Sequence, residues 1–235
     1  MHIGCVAHHT DRASVRPYKQ RMCFSPLASF STGAVLLLVG GACVRRTRSP
    51  REWAYAGIPL CFGIQQGLEG ALWLSLDQSQ ACLSAQLTQG YSFFSQVYWP
   101  VYIPVAVYLL EPAGLRRRLI GFIAIGGALV AAYLAWYMAQ TPVLAFLRGG
   151  HIAYVFPHFH QPLATALYLF AACLAPLVSG WAQVRWFGFF TSLSLLATAF
   201  FYAQWFISTW CFFAAWLSTL VWLYFAKRTQ SRWSA

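Results

Sequence analysis

Seven long apolar stretches fill most of this chain, at roughly 25–44, 53–76, 91–110, 118–139, 161–180, 186–206 and 209–226, and charged residues hardly interrupt them. A helix that crosses the roughly 30 Å hydrocarbon layer of a bilayer needs about 20 such residues in a row. A soluble domain also carries about a quarter charged residues, whereas 9% of these 235 are charged. There is too little polar material here for a solvated surface. The runs are continuously apolar, without the period-two alternation of a transmembrane β-barrel. The expected fold is therefore all-α, a polytopic membrane bundle of seven transmembrane helices.

Punctuation at the ends of the runs agrees with helices. Ser25-Pro26 offers an N-cap followed by proline at the first helical position. Ser49, Pro50 and Glu52 read as a capping box at the start of the second run. The third run stops at Glu111-Pro112-Ala113-Gly114, as a proline and a glycine should stop it.

A net charge of +11 would suit a nucleic-acid partner, but the positions of the charges argue against one. Arg45, Arg46, Arg48 and Arg51 bound one apolar run, Arg116, Arg117 and Arg118 another, and Lys227, Arg228 and Arg232 follow the last. Basic residues collect in cytoplasmic loops. Eleven on one set of loops against Arg148 on the other predict an external N-terminus and an internal C-terminus. The lipid bilayer is then the expected partner, crossed several times by the chain. Residues 22–226 form the single transmembrane domain and 227–235 a basic cytoplasmic tail.

Residues 1–21 break the charge pattern, since Arg12, Arg16, Lys19 and Arg21 would all lie outside. Without an apolar core they are no signal peptide. They read as a disordered tail or a mis-called start, with Met22 as the initiator. Mass spectrometry of the native N-terminus tests this, and a peptide spanning residues 2–20 would overturn it.

Polar side chains within a membrane are costly and serve as functional hypotheses by default. The second run contains IQQGLEGALW, residues 64–73, in which Gln65 and Gln66 precede Glu69 by four and three positions and Trp73 follows by four. That spacing places them on roughly one helix face. Glu69 is the one acid well inside an apolar run. Such a carboxyl group is held protonated, shared with Gln65 or Gln66, paired with a histidine, or bound to a cation. Gln96 and Trp99 at the start of the third run, His151, and Tyr202 fall towards the same external side. Together they predict an outward-facing polar pocket with Glu69 at its floor. The bland alternative is that such groups only hydrogen-bond neighbouring helices.

The stretch HIAYVFPHFH, residues 151–160, holds three of the six histidines. His151, His158 and His160 with Glu69 would make a zinc-type donor set. On an extended segment His158 and His160 share a face, and Pro157 and Pro162 keep the region from regular helix. Proton relay between a histidine and Glu69 is the other chemistry these groups support. The seven cysteines form no CxxC pair. Cys43, Cys61 and Cys173 read as buried packing residues. Cys23 and Cys211, both placed externally, could form a disulfide.

Several enzymes are argued down. The lysines, Lys19 and Lys227, lie outside the runs, so no retinal Schiff base can form. G-x-S-x-G, H-E-x-x-H and phosphate-loop motifs do not occur.

MCFSPLASF (22–30), IQQGLEGALW (64–73), WPVYIP (99–104), HIAY (151–154), WFG (186–188) and WCFFAA (210–215) resemble an uncharacterised family of bacterial seven-helix membrane proteins whose chains begin MCFS. The resemblance spans 22–226 and implies an architecture without an activity. It draws attention to Cys23, Gln65, Gln66, Glu69, Trp99, His151 and Cys211, and leaves His158 and His160 outside its motifs. The leading expectation is a non-enzymatic protein that binds a small polar ligand, ion or proton for transport or sensing. The rivals are a metal-dependent hydrolase-like enzyme of the outer leaflet, with zinc as cofactor, and a structural subunit.

Overall fold

In the computed structural model the described residues are 25–156, 161–201 and 206–230, and they are mostly helical. In chain order the helices are α1 (Pro26–Val44), α2 (Pro50–Ala56), α3 (Ile58–Asp77), α4 (Ala81–Ser92), α5 (Trp99–Leu110), α6 (Leu115–Gln140), α7 (Gln161–Val178), α8 (Ala182–Phe201), α9 (Phe206–Leu217) and α10 (Val221–Gln230). A π-helical turn, Phe93–Tyr98, joins α4 to α5, and a 3₁₀ turn, Ser218–Leu220, joins α9 to α10. Between α6 and α7 stand two short strands, β1 (Leu144–Arg148) and β2 (His151–Val155).

Among the described residues, four helical stretches are long and apolar enough to cross a membrane: Pro26–Val44, Ala81–Leu110, Leu115–Gln140 and Thr209–Ala226. Their outward faces are greasy. Leu38 is 76% exposed, Phe122 71% and Leu129 69%, while Gln65, Gln66 and Glu69 are buried. Apolar side chains outside and polar ones inside reverse the pattern that water selects.

Close backbone approach ties α1 to α3. A Cβ on Gly40 would lie 2.7 Å from the Leu60 backbone nitrogen, and one on Gly63 would lie 3.1 Å from the Gly33 carbonyl oxygen. Small residues that let two helices touch are the usual device where water cannot drive association. Ser25 caps α1, its Oγ accepting from the Ala28 amide at 3.2 Å. The capping box at the second run takes another form. Ser49 makes no side-chain cap bond, and the Glu52 carboxylate instead accepts from the Arg48 amide at 2.8 Å. That run is also broken at Gly57, which separates the short α2 from α3.

Glu111, expected only as a helix stop, is 4% exposed and closes the end of the bundle that carries the arginines. Its carboxylate accepts from Ser179 Oγ and from the Gly180 amide, both at 2.8 Å. The end of α5 is thereby fastened to the α7–α8 connection, and Arg185 donates to the Ser179 and Gly180 carbonyls from the far side.

The hairpin is the largest departure from the all-helical expectation. Its turn is Gly149-Gly150, both at positive φ (58° and 80°), between the register pair Arg148 and His151. Two positive-φ residues make the turn whose twist matches a two-residue hairpin, and glycine adopts them without steric cost. Ile152 is fully buried against Leu72 and Trp73 of α3. The hairpin thus lies across the end of the bundle opposite the arginines.

Candidate functional site

The polar face of IQQGLEGALW points into the bundle. Gln65 and Gln66 are fully buried and Glu69 is 2% exposed. Gln66 Nε2 donates to Glu69 Oε2 at 3.3 Å, as an i, i+3 pair on a helix can. Gln65 Oε1 accepts from Trp99 Nε1 at 2.6 Å. The Trp99 ring stacks on Phe62 with centroids 3.8 Å apart. One residue earlier the Tyr98 hydroxyl meets the Cys61 sulfur at 3.1 Å. Tyr98, which ends the π turn, and Trp99, which opens α5, therefore grip Cys61 and Gln65, one helical turn apart on α3. The π turn explains how: its extra residue advances the start of α5 around the helix axis, and such turns recur at functional sites.

Three further groups complete the cluster. The Cys211 thiol, buried midway along α9, lies beside the Tyr91 hydroxyl and the Gln65 carboxamide. Tyr91 of α4 stacks on Tyr154 of β2, with centroids 4.9 Å apart and planes 12° from parallel. Glu69 stands close enough for its charge to act on Tyr91, Tyr154 and Cys211. Burial, and after it the Glu69 charge, push the Tyr154 hydroxyl well above the ordinary tyrosine range. It stays a neutral O–H donor at physiological pH. One carboxyl group thus shares an enclosed space with two phenols, a thiol and two carboxamides, a setting that can hold a proton or a small cation.

Next to Trp99 and Cys211 lies a void of about 20 Å³, bounded also by Phe62, Tyr168, Thr191 and Trp210. It has room for about one water molecule. Among the described residues, Gln65, Gln66, Glu69 and Trp99 of the expected outward-facing pocket stand in a buried polar cluster against which the hairpin packs.

The other expected residues are placed less centrally. Gln96 sits half-buried in the π turn, three residues before Trp99. His151 opens β2 at the hairpin tip, half-buried. Side chains alternate along a strand, so His151 faces away from Ile152 and Tyr154 and hence from Glu69. This separates two members of the expected zinc set. His158, His160, Tyr202 and Cys23 lie outside the described residues. Among the described residues no three His, Cys, Asp or Glu side chains converge to hold a metal ion.

Two predictions arise here. Trp99→Phe keeps the stack on Phe62 and removes the indole donor, leaving the buried Gln65 Oε1 without it. A buried acceptor so deprived costs about 1–3 kcal/mol, and at roughly 2–4 °C per kcal/mol the apparent melting temperature in detergent falls by several degrees. An unchanged midpoint would show that the bond contributes nothing. The second prediction concerns acid. Burial lowers the His151 pKa below the ordinary 6.5, because the imidazolium is disfavoured where the hairpin holds it. The docked hairpin therefore keeps its full stability above that value and loses it as the pH falls. Hydrogen exchange across residues 144–155, corrected for intrinsic rates, should be faster at about pH 5 than at about pH 7.5, and His151→Gln should remove the difference.

A model of a family of unknown function, DUF6629, matches residues 22–235. No curated protein and no solved structure matches the chain. The family match takes in every residue of the cluster, from Gln65 to Cys211, and covers well over half of the sequence, so the chain belongs to this family of unknown function.

Proposed function

We propose that the chain is a seven-pass integral membrane protein of the bacterial plasma membrane, N-terminus outside and C-terminus inside, that binds a small polar ligand, ion or proton at Glu69. Four helices of crossing length and the apolar outward faces support the membrane reading. The distribution of arginines supports the orientation. The observation that carries the functional reading is the burial of the Glu69 carboxyl group among donors from α3, α4, α9 and β2, beneath a hairpin joined to the bundle by a few apolar contacts.

A carboxyl group in the interior of a membrane bundle marks a binding site or a proton path. A hairpin that lifts would connect it to the external side, which favours transport over a purely structural role. The test is proton and monovalent-cation movement into liposomes carrying the purified chain, with and without Glu69→Gln. Equal movement in both proteins would sink the proposal.

A further inference from the structure

A second site lies at the opposite end of the molecule. A groove of about 560 Å³ runs along the outside of α1 where α10 passes it. Leu37, Leu38 and Ala42 form its walls, and Gly41 its floor, where a Cβ would meet nothing within 4 Å. Arg45, Arg46 and Trp222 close one end. The Arg46 guanidinium lies 3.7 Å above the centre of the Trp222 ring. Stacking fixes the plane of that group and leaves its edge donors free for an oxyanion. From Leu37 to Arg45 the groove follows about 12 Å of helix at 1.5 Å per residue.

Walls and end demand different things of an occupant. Leu38 is largely exposed, so the walls need a partner that is apolar along their length. Two guanidiniums just beyond a helix of crossing length need negative charge at headgroup depth. A free phosphate would leave the walls uncovered, and a zwitterionic headgroup would bring its own ammonium to the arginines. We infer that this groove binds one anionic phospholipid, its phosphate between Arg45 and Arg46 and an acyl chain along Leu37, Leu38 and Gly41. The inference rests on the membrane reading but is independent of Glu69.

Native mass spectrometry of the full chain in detergent, with phosphatidylglycerol and phosphatidylcholine of equal chain length, tests it. The wild type should retain phosphatidylglycerol at least tenfold better, since each arginine at an anionic headgroup is worth about fivefold. Arg45→Gln with Arg46→Gln should bring the ratio close to one. Gly41→Phe, which fills the floor, should lower retention of both lipids. Arg51→Gln with Arg118→Gln removes the same charge elsewhere among the exposed arginines and should leave the ratio intact. No preference in the wild type, or an equal loss in that charge-matched control, would overturn the lipid site while leaving the membrane reading standing. A chain that stays in solution without detergent would overturn both.

Discussion

Glu69→Gln is expected to bring proton or cation movement through reconstituted protein down to the level of protein-free liposomes, at least a tenfold fall, while the bundle stays folded. Glutamine has nearly the shape of glutamate and can still bond Gln66, so the packing around it need not change. What disappears is the ability to carry a charge or exchange a proton within the buried cluster. A buried carboxylate carries a far larger desolvation cost than a carboxamide of the same shape. The apparent melting temperature should therefore hold or rise while movement stops. The opposite result, a lower melting temperature with unchanged movement, would identify Glu69 as helix glue and make the structural-subunit reading the better one. A dye reporting internal pH, with a potassium gradient and valinomycin to set the membrane voltage, reads the movement, and thermal unfolding of the same purified protein in detergent gives the melting temperature.

The parts of this site that share a helix were legible in the sequence; those brought in by tertiary contact were not. Gln65, Gln66 and Glu69 stand out because three- and four-residue spacing in an apolar run admits one interpretation. Trp99 stood out with Gln96 at the start of the third apolar run. Tyr91 did not, because a tyrosine near the end of an apolar run is ordinarily an interfacial residue, and α4 begins at Ala81 among residues too polar to announce a span. Tyr154 depended on recognising a hairpin. LAFLRGGHIAYV does carry its signature, two glycines between apolar-rich runs, but the histidines drew attention to metal chemistry instead. Cys211 was visible as a cysteine, expected at the start of the last apolar run and found midway along α9. Its neighbours Tyr91 and Gln65 come from other helices, and no local pattern records such pairings.

Gly127→Ala should be among the most damaging single-methyl changes in the molecule, while the same change at Gly126 should be harmless. Pro104 has no amide hydrogen, so the Pro100 carbonyl one turn earlier lacks its helical donor. That oxygen turns towards α6, and the face it meets is Gly127. A Cβ there would run into the Pro100 carbonyl oxygen, with the Ala171 Cβ of α7 3.2 Å away on another side. Backbone on one side and a methyl on another leave no flexible side chain to yield. Overpacking of this kind costs up to about 3 kcal/mol, read as a lower melting temperature and a poorer yield of folded protein. The displacement falls on the residue next to Trp99, so its bond to Gln65 should loosen as well. A Cβ on Gly126 meets nothing within 4 Å, and alanine there should stabilise α6 by about 0.5–1 kcal/mol through lost glycine freedom. Because the two positions are adjacent on one helix, propensity and membrane insertion affect them alike, and their difference isolates the contact between α5 and α6. Equal melting temperatures for the two variants would mean that α5 does not approach α6 through Pro100, and Trp99 would then lose the support that aims it at Gln65.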